Sequence, residues 1–545
     1  MIKPMKPSCH TRPTRHAKPT RHAKPTRHAK PTRHTRPYIL LATLLFLSAT
    51  TTISAQERVY IDTAGVGLGI TIDGQSVRKL LRNVRLRTDR IRIDADSAYH
   101  FLDDAIIRAY GVRLENDKQE IIYADTLIHS IPTDDSSLFG RVILKTPDYT
   151  LYSHHVEVDG ATESATFPQE VLFRGDGITL RARSGFYNQQ TDSAAFFGNV
   201  QLSDSTQYIE ADSLLMNHAS ESYHFLGEVY GEESENGSRF AGTSLQSDST
   251  GFRQITGQPA WLMEIDGAQE PEPEIKPEIK PTTKPELMPK PELEPKPELE
   301  PKPELMPKPD PAKNDTTHLF AFQIMIRETD SLDTMDAIGS VRIVSDRFSG
   351  IADTLRFRDP PETLTMLGNR GNPILWTEQI QLTGPLLQLN FENDNLRSLT
   401  APNRPFATLQ DSTTSRFHQM TGDTLQSWFE DGELIRISLF RQHQLLFHQT
   451  NENDEPDGLM TLVATERSDI TFEDGEPSGF KAVKGIDGTY LPEQDGLDER
   501  KLDGFRWNPE MRPSQPILIR RRWNTDPGEP LFPPPDKYVQ DRDQE

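Results

Sequence analysis

The chain has 545 residues, 82 acidic against 60 basic side chains for a net charge of −22, and one cysteine, Cys9. That composition excludes a disulfide framework and a thiolate metal site. It also argues against nucleic acid as a partner, because phosphate binding needs a basic stripe.

Residues 1–37 carry eleven Lys or Arg and no acid, and the hexapeptide Thr-Arg-His-Ala-Lys-Pro repeats in tandem from Thr14 to Pro31. Tyr38 to Leu47 is a short apolar run, followed by small residues ending in Ile53-Ser54-Ala55. This is the pattern of a secretory signal peptide, and the run is short for a span of about 20 residues. Residues 1–55 are therefore read as a signal peptide with a basic repeat n-region, cleaved near Ala55, with an uncleaved inner-membrane anchor as the alternative. The basic hexapeptide reads either as a patch for an anionic partner or as a duplicated n-region of no further function. Removal takes away eleven positive charges and leaves a mature chain at −33, a charge that favours solubility in an extracytoplasmic space.

Beyond the signal segment a unit repeats. Ala95, Ala124, Ser153, Ala182 and Ala211 follow one another at intervals of 29, as do Val142, Val171, Val200 and Val229. Val142, Val171 and Val200 each precede a small residue by 11 positions. Fixed periods of this size mark stacked architectures in which no unit buries its apolar face alone. Within the unit the period is two: Ile91, Ile93, Ala95 and Ser97 alternate with Arg92, Asp94 and Asp96, and Ile209, Ala211, Ser213 and Leu215 share a face. Such alternation predicts half-buried strands, and Gly, Asn, Asp and Ser clusters supply the turns. The mature chain reads as all-β. The column of small residues fits either a tight bend or a groove that leaves room for a ligand.

From Glu270 to Lys313 the sequence becomes Pro-Glu-Leu-x-Pro-Lys-Pro repeats. Proline at this density forbids sheet pairing and favours polyproline II, a spacer of up to ~140 Å at its rise per residue. The unit then returns. Val341 precedes Ala352 by 11 positions, Pro373 precedes Gly384 by 11, and wider copies surround Gly422-Asp423-Thr424 and Val463-Ala464-Thr465. After about Leu502 the chain is rich in Pro and Arg, which predicts a largely disordered tail.

Candidate chemistry is sparse. Gly65-Val66-Gly67-Leu68-Gly69 lacks a phosphate-loop lysine and reads as a turn. His154 and His155 are adjacent on a strand and point to opposite faces, so they do not chelate together. His443 and His448 have no carboxylate or cysteine at ligand spacing, and "NENDEPDG" from Asn451 has Pro456 where a calcium loop needs glycine. The recurrent pairs Asp96-Ser97, Asp125-Thr126, Asp212-Ser213 and Asp353-Thr354 read as a structural ladder, since they repeat in rung after rung. No catalytic residue, metal ligand or cofactor is nominated, and the chain is read as not an enzyme.

The Gly-x-Val-x-Leu unit followed by Ala-Asp-Ser strands resembles the OstA-like (organic solvent tolerance) family, to which the LptA bridge of lipopolysaccharide transport belongs. The likeness is strongest at "GNVQLSDSTQYIEADSLL" (Gly198 to Leu215) and returns at "GRVIL" (Gly140) and "GSVRIVSDRFSGIADTL" (Gly339 to Leu355). It implies two blocks of stacked repeat rungs forming an open β-jellyroll, separated by the Pro-rich linker: an OstA-like domain at 56–267, linker at 268–315, a more divergent OstA-like domain at 316–500 and tail at 501–545. It also implies residence in the periplasm of a Gram-negative-type cell, associated with the inner or outer membrane, lipopolysaccharide or a related lipid as ligand, and no catalysis. Alternation nominates Ile91, Ile93, Ala95, Ile122, Ala124, Val142, Leu144, Leu180, Ala182, Val200, Leu202, Ile209 and Ala211 as the groove lining, the opposite face being the alternative. Each methylene kept from water is worth about 0.8 kcal/mol, so a ten-carbon chain gains about 8 kcal/mol from such a groove. Open terminal rungs would offer edges to other jellyroll transport components, or to a second copy end to end. A non-catalytic β-solenoid scaffold or adhesin, with a filled interior, shows the same periodicity; a polysaccharide-cleaving β-helix would need a carboxylate cluster that the scattered acids do not supply.

Overall fold

Period-two alternation carries through into strands almost everywhere. A computed structural model describes residues 58–514, apart from 266–315 and the short stretches 89–90, 116–119, 148, 176, 235–236, 330, 393–394, 412–413, 431, 452–454 and 474–475. The expected signal peptide and the whole of the expected linker lie outside the described residues, as does the tail beyond 514. Among the described residues there are thirty-four strands and, besides them, one 3₁₀ turn at Pro509–Met511. The protein is all-β, and every described strand pairing is antiparallel, as in Ser193–Ser203 with Gln207–Asn217.

The chain lays down two facing walls. Strand Ser193–Ser203 runs along the second wall, bends, and finishes in the first; Gln207–Asn217 bends back the other way. The bend falls at a register shift, between Phe197 and Val200 on one strand and between Glu210 and Ser213 on the next pairing. Bulges of this kind turn a strand and strengthen its twist. Two strands, one in each direction, make the 29-residue period, and the 11-residue offset is a cross-strand pairing: Val142 faces Ser153, Val200 faces Ala211 and Val341 faces Ala352. The small column thus sits inside the bend, where the walls converge, and this is the tight-bend reading of those residues.

The repeated aspartate locks the bend. Asp125 Oδ2 accepts the Arg141 N–H at 3.0 Å, and Asp212 Oδ2 accepts the Glu228 N–H at 3.2 Å. Asp353 Oδ2 accepts the N–H groups of Asn369 and Arg370 at 2.6 and 2.7 Å. These backbone N–H groups hold the Asp353 carboxyl below the usual carboxylate range. In the first two rungs the residue before the donor is a glycine in left-handed backbone, Gly140 at φ 87° and Gly227 at φ 94°. Ordinary residues avoid that region, and a Cβ there would fall inside the aspartate side chain.

Two inner ladders run along the stack. In the first wall Leu86, Ile93, Leu114, Ile122, Leu144, Leu151, Phe173, Leu180, Leu202 and Ile209 are successive cross-strand partners. In the second, Phe196, Leu214, Phe225, Leu245, Ile255, Ile324, Ala337 and Leu355 follow in turn. The second ladder crosses the linker without interruption. Phe252–Ile265 pairs with Thr316–Arg327 from end to end, and Glu264 faces Thr317. The two expected blocks therefore meet in one sheet, and the linker leaves and returns at neighbouring positions.

After Asp359 the strands are short and each stays in one wall. Residues 501–514, expected to begin a disordered tail, instead run back across the outside of the first wall as a strap, which corrects that expectation. Gln381, 1% exposed, donates from Nε2 to the Arg506 carbonyl at 2.7 Å and accepts the Asn508 N–H at 2.9 Å. Phe505 and Trp507 pack on Phe417, with centroids 5.6 and 5.1 Å apart, and Arg512 Nε donates to Ser349 Oγ at 3.0 Å. A few aromatic anchors and one buried amide that needs partners outweigh the tail's polar, proline-rich composition.

Candidate lipid-binding interior

The thirteen nominated lining residues all lie between the walls. None is more than 8% exposed, and all belong to one continuous apolar core. Alternation therefore assigned them to the inner face; the alternative face carries the exposed and charged residues, such as Arg181 with its carboxylate partner Glu170.

Among them a cavity of about 60 Å³ lies beneath the strands from Ile106–Glu115 to Ser164–Phe167. Four nominated residues, Ile91, Ile122, Val142 and Leu144, line it; the other nine pack elsewhere in the core. Sequence reasoning missed Leu114, Leu138, Leu151, Val156, Val158 and Phe167, which complete its apolar wall. Parity could have found two of these: Leu114 lies two positions from Val112 and Leu151 two from Ser153, on the same face. Asp134, Ser136 and Gly160, at its rim, gave no signal beyond a turn. On the scale at which one water needs roughly 10–15 Å³, this space holds a few waters.

Polar groups gather where the second wall reaches the rim. His129, 1% exposed, has Nδ1 at 2.9 Å from Ser136 Oγ and Nε2 at 4.0 Å from Asp134 Oδ1. His100, on the same inner row, is buried, and burial first and Arg78 second lower its affinity for a proton. Tyr187 donates to Asp192 at 3.3 Å, and burial, reinforced by that carboxylate, pushes its pKa up. At this edge of the apolar interior His129, Ser136 and Tyr187 each reach a partner, whereas the buried His100 Nδ1 does not.

Of the histidines considered as ligands, His154 is exposed, and His155, His443 and His448 are packing residues. His155 stacks on Phe139 with centroids 4.4 Å apart, His443 Nε2 lies 2.6 Å from Ser468 Oγ, and the His448 N–H donates to His418 Nδ1 at 3.2 Å. Among the described residues no three His, Cys, Asp or Glu side chains converge as a metal site. Likewise, no described helix is long and apolar enough to cross a membrane.

Walls, bends and ladder define a bulged β-jellyroll of stacked rungs. Residues 56–212 match the family model described as OstA-like protein, so this part of the chain is OstA-like. Among solved structures, the chain is similar to LptH of Pseudomonas aeruginosa, described as the LptA homologous periplasmic component of the conserved lipopolysaccharide transport device, at 11% identity, a TM-score of 0.16, and 36% of this chain against 84% of that one. It is also similar to the WD40 domain of SCAP from fission yeast, at 7% identity, a TM-score of 0.10, and 81% of this chain against 91% of that one. No curated protein matches.

Proposed function

We propose that this chain is a periplasmic lipid-binding jellyroll of the lipopolysaccharide-transport type, which shields acyl chains between its walls and carries out no chemical step of its own. The observation that carries the reading is a coincidence of position. The OstA-like match covers 56–212, and every residue lining the cavity, from Ile91 to Phe167, falls within it. The apolar lining supplies the transfer energy that holds an acyl chain out of water. For partners, the last strand of the first wall, Asp487–Pro492, pairs among the described residues only with Pro456–Ala464 and is mostly exposed. Its free edge suits strand addition by another jellyroll or a second copy.

Photo-crosslinking in cells from probes at Ile122 and Leu144, with Arg181 as an outward control, tests the reading. Lipopolysaccharide adducts at the first two and not the third are expected. Protein adducts alone at all three would overturn it. One observation favours the non-catalytic scaffold instead: the nominated lining is closely packed, as a filled solenoid interior would be. That alternative predicts the same folded protein with no lipid bound.

A further inference from the structure

An antiparallel wall with its core on one side turns its other face to water, and one part of the first wall departs from this. Where the two regions join, Ile343, Leu319, Leu262 and Phe240 point inward and belong to the main core. Their neighbours along the strands, Val344, His318, Met263, Trp261 and Ala241, therefore face outward. Yet none of these five is more than 6% exposed, and Trp261 is wholly buried. Trp261, Met263, Ala241, Tyr230 and Phe320 form an apolar cluster apart from the core, and every described member belongs to this wall. One layer of sheet does not hide an indole on its outer face, so a second layer covers it.

The strap runs along this outer face toward the cluster. The Leu502 N–H donates to Gln419 Oε1 at 2.8 Å, Arg506 and Asn508 meet Gln381, and Arg512 reaches Ser349. Ser349 is the cross-strand partner of Val344, and His318, Met263, Arg239 and Glu232 follow in register. From Ser349 to Glu232 is a reach of ~24 Å at the spacing of neighbouring strands, which about eight extended residues cover. After Ser514 the sequence reads Gln515-Pro516-Ile517-Leu518-Ile519, then Arg520-Arg521-Arg522-Trp523.

We infer that this outer strip is a docking site for the chain's own next segment, Gln515–Trp523, which continues the strap across the junction of the two regions. The reach brings the three aliphatic residues to Met263 and Trp261 and the three arginines to the acidic end of the strip. There Glu232 stands 3.5 Å from Arg239, and Glu210, 0% exposed, accepts the Tyr208 hydroxyl at 2.8 Å. Guanidinium groups are the cations best suited to carboxylates at such depth. The Pro-Glu-Leu repeats of the linker would instead bring further carboxylates to the same face. Glu210 lies within the OstA-like stretch, so the docked segment ties the second region to the first by a route separate from the hairpin.

A cysteine on the strip tests this. In the full-length chain carrying Cys9→Ser and Ala241→Cys, maleimide labelling is expected to be slow. Leu518→Asp in that chain, or ending it after Ser514, should speed labelling by about tenfold or more, because protection goes with the covering layer. Adding a peptide of residues 515–525 should restore protection to the shortened protein. Equal rates in all three proteins would overturn the inference, as would fast labelling of the shortened protein that the peptide leaves unchanged. A photo-reactive residue at Phe320, in mixed light and heavy isotope-labelled chains, should crosslink to residues 515–523 of the same molecule. Adducts with residues 1–57 or 266–315, with a second copy or with another protein would identify a different occupant and overturn it.

Discussion

Residues 75–359 and 363–492 build the same two walls by different means. In the first region most strands pass from wall to wall unbroken: Gln75–Arg87 has 13 residues and Phe252–Ile265 has 14, and the turn is absorbed in a bulge; the exception is the rung of Ser164–Phe167, Val171–Gly175, Ile178–Ala182 and Ser184–Asn188, which breaks at the corner. In the second the crossing breaks the strand, leaving pieces of 3 residues at Ile374–Trp376 to 9 at Pro456–Ala464. The backbone groups freed at these breaks still find partners. The Asn403 N–H donates to Asp423 at 2.9 Å, that of Asp423 to Arg441 at 3.1 Å, and that of Arg441 to Glu466 at 2.8 Å. One corner chemistry is a left-handed glycine with an aspartate lock; the other is a chain of backbone bonds between loops. The jellyroll therefore depends on the inner ladders, and the corner is a replaceable device whose type sets where the fold is sensitive.

The largest effect should come at a locked bend. Gly227→Ala places a Cβ in left-handed backbone and against Asp212, and should cost about 3 kcal/mol, combining the conformational and steric penalties. Gly371→Ala, in the loop that Asp353 holds at the start of the second region, meets nothing nearby and should stay within about 0.5 kcal/mol. Chemical denaturation of the two variants checks the contrast; equal losses would show that the left-handed glycine is not what makes the locked bend sensitive.

Next comes acid. His418 lies against Phe447, ring centroids 4.1 Å apart, and burial, opposed by Asp411 and aided by His448, pushes its pKa down to about 4. Folding therefore favours the neutral ring. The stabilisation is fully present above the unfolded value near 6.5 and is lost as pH falls toward 4, to the extent of about 3 kcal/mol at 1.36 kcal/mol per pKa unit. His448 and His443, also lowered by burial, act in the same direction. The second region should thus lose stability on acidification, and His418→Phe should flatten the loss. Acid titrations followed by circular dichroism that superimpose for the two proteins would remove His418 from the account.

A third difference is the strap, which crosses only the second region and its junction. Gln381 holds the Trp376 indole N–H at 3.1 Å as well as the strap backbone. Gln381→Leu leaves these groups buried without partners and should cost about 2 kcal/mol. Limited proteolysis would then release the strap's end before the walls are cut; cleavage in the walls first would mean that the strap does not depend on this residue.

Much of this was legible in the sequence, for a physical reason. The alternation of Ile91, Ile93 and Ala95, or of Val200 and Leu202, has the strand's own period, so the strands and the buried face could be read as far as the bend; beyond it the bulge inverts the parity, and Leu215, expected on the face of Ile209 and Ala211, is exposed while Leu214 and Met216 are buried. The column at Ala182 and Ala211 was visible as a repeat, but its cause was not. A bend and a groove both demand small residues, and only the pairing of Val200 with Ala211 beside the register shift separates them. The cavity was legible by a third of its lining at most, because a cavity depends on how several strands fail to fill space. Phe167 and Leu138 carry no mark of it. The strap was hidden because composition averages over residues, whereas Phe505 and Trp507 act singly.

The smallest expected effect concerns the linker, and it sharpens the comparison most. Glu264 and Thr317 are direct cross-strand partners, with Leu262 facing Leu319 beyond them. Everything between 266 and 315 is therefore an insertion at the end of a hairpin. Replacing it with a short turn leaves each of those pairings available. A shorter loop also loses less entropy on closure: each halving is worth about 0.6 kcal/mol, so cutting fifty residues to a few gains at most about 2 kcal/mol. The shortened protein should unfold in the same transitions, at equal or slightly higher denaturant. If it instead lost the second region while keeping the first, the pairing across 252–265 and 316–327 would not be what joins them. The two corner chemistries would then belong to two separately folding bodies, and the continuous inner ladder would cease to explain the stability of either.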